Sequence, residues 1–132
     1  MKDIELPISK KVTRLETEIA IFIPSTQGIK AQRSITEQEM NLRIKSVQRF
    51  LSKLCGGFTS FDAQGGYMLN TGQLVDEDVT RVSAFADVDT EKEVEELGEA
   101  LIAKCKYWAN KWGQESIGLE WEGDLYLIPK KI

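Results

Sequence analysis

The chain has 132 residues, 42% of them apolar and 29% charged, with a net charge of −4. That is enough for one hydrophobic core and one domain, and it excludes a disordered, collagen-like or disulfide-dense protein. There is no histidine, which excludes Ser-His and Cys-His catalysis, histidine-bearing zinc sites and a histidine pH switch.

In chain order, residues 1–13 read as an arm, broken by Pro7, that pairs with an edge strand or stays loose. It holds no apolar stretch long enough for a signal peptide, and the longest apolar run, Ile19–Pro24, falls far short of the roughly 20 residues of a membrane helix. The cytoplasm is therefore the expected compartment, and no membrane association is expected. Ile19, Ile21 and Ile23 alternate up to Pro24, which marks the first strand. Ser25 to Ser34 reads as a loop longer than a bare connection requires.

Thr36-x-x-Glu39 is a capping box, so a helix starts at Glu37. Its apolar stripe is Met40, Ile44, Val47, Leu51 and Leu54, its opposite face carries Arg43, Arg49 and Lys53, and Gly56-Gly57 ends it. The period then changes to two. Phe58 to Asp62 and Tyr67 to Leu69 read as strand, with Gly65-Gly66 as a bulge or kink, Asn70-Thr71-Gly72 as a turn and Gln73 to Asp78 as a polar connection. Val79 to Asp87 completes that hairpin.

Thr90-x-x-Glu93 opens a second helix with the stripe Val94, Leu97, Leu101, Cys105, Trp108 and Trp112, stopped by Gly113. Ile117 to Trp121 and Leu125 to Ile128 flank Glu122-Gly123-Asp124 and form a second hairpin. Strand, helix, hairpin, helix, hairpin is the order of an α+β, ferredoxin-like (split βαβ) domain over residues 14–132. Two helices then cover one face of an antiparallel sheet, an extra C-terminal strand lies at its edge, and the other face stays open. Cys55 and Cys105 lie on inner helix faces and read as buried thiols, with a disulfide between them left open.

Charge is unevenly spread: 10 basic against 6 acidic residues up to Leu54, 2 against 11 from Cys55 to Ile102, and 5 against 4 thereafter. The acidic run Asp87 to Glu99 is either a solvated helix start or a patch for a basic partner. Lys30, Arg33, Arg43, Lys45, Arg49 and Lys53 lack interleaved aromatic residues, so direct nucleic-acid binding is not expected.

Three clusters bear chemistry. Around Gly65-Gly66, Asp62, Gln64 and Tyr67 place a carboxylate, an amide and a phenol where backbone can approach a ligand. At the entry to the next-to-last strand, Glu115 is a potential general base and Gln114 a substrate-orienting amide, or both satisfy backbone groups. Arg81, the one basic residue of the middle strands, is an anion contact on the open face or a salt-bridge partner. Nothing calls for a metal or a cofactor.

Asp62-Ala63-Gln64-Gly65 with Tyr67, the strand Val79 to Ala86, and Gly113-Gln114-Glu115-Ser116-Ile117 together resemble the small bacterial and phage proteins of domain-of-unknown-function family 3574, over roughly Leu15 to Leu119. The resemblance implies a ferredoxin-like domain that often dimerises and has no established reaction. Three functional expectations follow. The first is a non-catalytic, homodimeric module whose open face, around Gln64, Tyr67, Arg81, Gln114 and Glu115, binds a small ligand or a protein. A second is a small isomerase- or hydrolase-type enzyme with Glu115 or Asp62 as base and Tyr67 or Arg81 as electrophile. The third is a phage anti-defence inhibitor that uses its acidic surface.

Overall fold

Strand β1 (Thr17–Pro24) buries Ile19, Ile21 and Ile23 completely, and their alternation places all three under the helices. The description rests on a computed structural model and covers residues 13–28 and 33–131, so the arm expected before residue 13 lies outside the described residues. After β1 come two short strands, β2 (Thr26–Gln27) and β3 (Arg33–Ser34), which pair antiparallel within the segment expected to be a plain loop.

Helix α1 (Glu37–Cys55) starts where its cap predicts. The Thr36 hydroxyl accepts from the Glu39 N–H at 3.1 Å, and Gly56 ends the helix in the left-handed region with its N–H on the Ser52 carbonyl. Helix α2 (Glu91–Lys111) carries a complete capping box at Thr90 and Glu93. The Asp89 and Thr90 N–H groups donate to the Glu93 carboxylate and hold its pKa below the ordinary range.

Strands β4 (Thr59–Met68) and β5 (Leu74–Ala86) form a long hairpin, and β6 (Ser116–Trp121) and β7 (Asp124–Pro129) a short one. The five-stranded antiparallel sheet runs β4-β5-β1-β6-β7. Without β7 this is the ferredoxin-like order, and β7 is the expected addition at the edge. Both helices pack on one side, where Val47, Leu51, Leu97, Leu101, Cys105 and Trp108 meet the three isoleucines of β1 and Val82, Ile117 and Leu119. Trp108 stacks on Trp112 at 5.3 Å and meets the edge of Phe50 at 5.5 Å. The two cysteines are free thiols: Cys105 is buried and Cys55 half-buried.

Three expectations change. Pairing runs without interruption from Thr59 opposite Ser83 to Met68 opposite Leu74, so Gly65-Gly66 is no bulge and Gln73 to Asp78 is largely strand rather than connection. Gly66 is needed for another reason: a Cβ there would lie 2.7 Å from the Val75 carbonyl oxygen. Arg43 does not sit on the outer face of α1. It is 6% exposed, three residues after Met40 and four before Val47, and therefore on the inward stripe. No helix among the described residues is long and apolar enough to cross a membrane.

Candidate functional site

The register of β1 with β5 continues past the end of their backbone pairing. The ladder stops at Pro24 opposite Val79. Two residues further along each strand, the Thr26 hydroxyl donates to the Glu77 Oε2 at 3.0 Å. The Thr26 carbonyl in turn accepts from Arg43 Nη1 at 3.0 Å and from Gln114 Nε2 at 2.7 Å. Arg43 Nη1 also reaches the Pro24 carbonyl at 2.7 Å, and Gln114 Nε2 the Trp112 carbonyl at 3.1 Å. Four segments meet here: the end of β1 with β2, helix α1, the base of the projecting β4–β5 arm, and the turn from α2 into β6.

Each local sequence is suited to its part. Pro24 has no N–H and closes the ladder, which frees the next residues to turn away. Gly113 adopts a positive φ of 63° after α2, and the Gly28 N–H donates to its carbonyl at 3.2 Å. A Cβ at Gly113 would stand 3.2 Å from that same nitrogen. The buried Arg43 guanidinium lies over the Trp112 ring at 5.2 Å. Burial lowers its pKa, and Glu39 and Glu77 oppose that shift by coulombic attraction. No carboxylate among the described residues forms a salt bridge with it within 4.0 Å, so Glu39 and, to a lesser degree, Glu77 act on it at longer range.

Glu77 is half-buried, and its Oε1 accepts no hydrogen bond among the described residues. Gly65 lies opposite it on β4 and offers no side chain. Tyr67 is the next residue on the same face of β4, one diagonal step of about 7 to 8 Å between Cα atoms. Asp76 and Asp78 flank Glu77 and are exposed. Among the described residues the result is a carboxylate anchored through one oxygen and without a hydrogen bond at the other, with Tyr67 one diagonal step away.

Of the residues singled out from sequence, Gln114 belongs to this cluster, Tyr67 borders it, and Glu115 follows Gln114 with an exposed side chain. Gln64 pairs with Asp78 and points to the opposite side of the sheet from Tyr67. Arg81 stands apart, six residues or about 20 Å along β5 from the partner of Tyr67. It is a salt-bridge partner: its Nε and Nη2 meet the two oxygens of Glu120 at 3.3 and 3.1 Å, with Glu18 at 3.9 Å. Around that pair the open face exposes Phe61, Phe85, Leu125 and Leu127.

Asp62 and Glu115 are both exposed, and β4 and β6 are three strand spacings apart, about 14 Å. They cannot act as one acid–base pair on a small substrate. Thr26, Arg43 and Glu77 were not identified from the sequence. The one available signal was a basic residue at an inward position of the α1 stripe.

No protein-family model and no curated protein sequence matches the chain. Among solved structures it is similar to a phage SAM lyase in complex with S-methyl-5'-thioadenosine, at a TM-score of 0.57 and 18% identity, over 89% of this chain and 94% of that one. The apo state of a phage SAM lyase gives the same TM-score and identity over 92% and 97%. At that identity the likeness establishes the fold. It also overturns the expectation of a non-catalytic module, which rested on the lack of a catalytic set in a histidine-free chain, because these neighbours of the same architecture are an enzyme.

Proposed function

We infer that this chain is an enzyme that cleaves S-adenosylmethionine and releases S-methyl-5'-thioadenosine, with the site at Glu77. The observation that carries the reading is the end-to-end match to a phage SAM lyase, in which little of either chain is left over. The anchored carboxylate, one of whose oxygens accepts no hydrogen bond among the described residues, supports it, because the substrate brings a sulfonium and an α-ammonium group to a site that offers negative charge.

The chemistry suits a chain without histidine. Cleavage between sulfur and Cγ of the amino-acid part returns the electron pair to sulfur and gives the neutral thioether. If the substrate's own carboxylate oxygen bonds to Cγ as that bond breaks, the other product is α-amino-γ-butyrolactone. Reactant and products then carry the same total charge, and no proton is transferred. The protein's work is to fold the substrate so that carboxylate and Cγ approach, and to exclude water. Glu77 Oε1 is placed to bind the α-ammonium, which orients the amino-acid part and leaves its carboxylate free to attack.

The reading keeps the phage anti-defence expectation in altered form, since removal of a methyl donor starves methyl transfer without any need for the acidic surface of α2. Membership of family 3574 and self-association remain part of the proposal. The test is the release of S-methyl-5'-thioadenosine from S-adenosylmethionine, followed by chromatography and mass spectrometry. Wild type is expected to release it together with the lactone, and Glu77→Gln to be at least 100-fold slower with its fold intact. Absence of release by the wild type, or a wild-type rate in Glu77→Gln, overturns the proposal.

A further inference from the structure

We propose that Thr26 is a positioning residue that fixes the Glu77 carboxylate, and that Arg43 and Gln114 serve by holding Thr26. The inference rests on the reading above for its catalytic consequence, but its structural basis is separate.

Glu77 lies in the part of β5 beyond its pairing with β1, where only β4 still holds it by backbone hydrogen bonds. Its neighbours Asp76 and Asp78 are exposed, and the hairpin end carries Met68 and Leu74 in the open. A carboxylate on such an arm would sample many orientations unless something tied it to the body. Thr26 supplies that tie at the position the β1 register would have reached. Its single hydroxyl proton goes to Glu77 Oε2, which selects the oxygen left free and the plane in which it faces the substrate.

Thr26 is itself unusually constrained. It is 8% exposed, in a strand of only two residues, with its carbonyl taken by two side-chain donors from different elements. The residue before it accepts from the Ile35 N–H at 3.0 Å. The branched side chain adds stiffness at χ1. A turn that merely joined β1 to α1 would need neither a buried guanidinium nor a buried amide aimed at one carbonyl.

The variants are Thr26→Val, which keeps the shape and removes the hydroxyl, and Thr26→Ser, which keeps the hydroxyl. Three readouts are taken on the full chain: kcat and KM for S-methyl-5'-thioadenosine release, the thermal midpoint, and hydrogen–deuterium exchange of the amides at 74–78. Thr26→Val is expected to lower kcat 10- to 100-fold with KM within 3-fold of wild type, and to speed exchange at 74–78 at least 10-fold. Thr26→Ser is expected to restore both to within 3-fold, and both variants to melt within a few degrees of wild type. Unchanged exchange in Thr26→Val, or equal losses in the two variants, overturns the inference. Should the wild type release nothing, the reaction is what fails, and exchange alone decides the clamp. An active wild type with a fully active Thr26→Val sinks the clamp and leaves the reaction standing.

Discussion

Replacing Arg43 by Met isolates the buried guanidinium at the centre of this network. Methionine fills much the same volume, so the change removes hydrogen bonds and charge with little cavity. Arg43 donates to two carbonyls at 2.7 and 3.0 Å, and hydrogen bonds from a charged donor contribute about 1.5 to 3 kcal/mol each. Their loss is unequal, because the Thr26 carbonyl keeps Gln114 while that of Pro24 loses its side-chain donor. The contact with Trp112 at 5.2 Å adds about 0.5 to 2 kcal/mol. Against these stands the relief of desolvation, which is already large enough to lower the pKa of the arginine despite Glu39 and Glu77. The expected net loss is about 2 to 4 kcal/mol, or roughly 10 °C in thermal midpoint for a domain of this size. Urea unfolding followed by tryptophan fluorescence measures it, and Trp112 lies directly under the altered side chain. A midpoint shift worth less than about 0.5 kcal/mol with an unchanged slope would refute the claim that these bonds tie β1 to α1.

The remaining expectations concern pH, helix propensity and turn geometry. Burial pushes the Cys105 thiol up to about 12, against 9.0 for the free group. Between those values the folded state keeps a proton that the unfolded state has lost, so stability is full below pH 9 and falls by about 1.4 kcal/mol per pH unit above it. Cys105→Ala should flatten that alkaline slope in urea melts at pH 8 to 11. Gly98 lies inside α2 with nothing within 4 Å of an added Cβ, so Gly98→Ala should raise stability by about 0.5 to 1 kcal/mol in the same assay. Glu122 holds a positive φ of 50° beside Gly123 in the two-residue turn between β6 and β7. Glu122→Asn should add roughly 0.5 to 1 kcal/mol, since such turns favour Asn-Gly.

The frame of the molecule was legible because its signals are local. Thr36 and Thr90 announce the helices, Gly56 and Gly113 end them, and the stripes from Val47 to Leu51 and from Leu97 to Trp108 fall on the core. The site was legible only in part. Gln114 and Tyr67 stand out as polar residues near glycines, but Glu77 is hidden in Gln73 to Asp78, whose polarity imitates a loop. That stretch is strand whose arm extends past its pairing with β1, so there is no helix-covered neighbour to impose alternation. Arg43 was misplaced because its charge was read as evidence of exposure. The outward acids Glu95, Glu96 and Glu99 fit that rule and Arg43 does not, since it finds two carbonyls and a ring inside. Thr26 opposite Glu77 is a relation between residues 51 apart and has no local signature.

On the reading proposed above, that relation also explains why chemistry would settle at the Glu77 end of the open face rather than at its centre, since Glu77 and Arg81 lie four residues apart on one face of β5. The open face has a charged centre, but Arg81 and Glu120 satisfy one another there through two hydrogen bonds, and Glu18 adds a second carboxylate. A group already paired in this way gains little by turning to a ligand. At the end of β1 the balance differs. Among the described residues, Arg43 spends its hydrogen bonds on neutral carbonyls and keeps no contact carboxylate, and Glu77 has one oxygen that accepts no hydrogen bond. Thr26 links the two, its hydroxyl donating to Glu77 and its carbonyl accepting from Arg43. On the reading proposed above, the substrate's α-ammonium meets there a carboxylate already fixed in place, while the buried Arg43 acts from behind by holding Thr26.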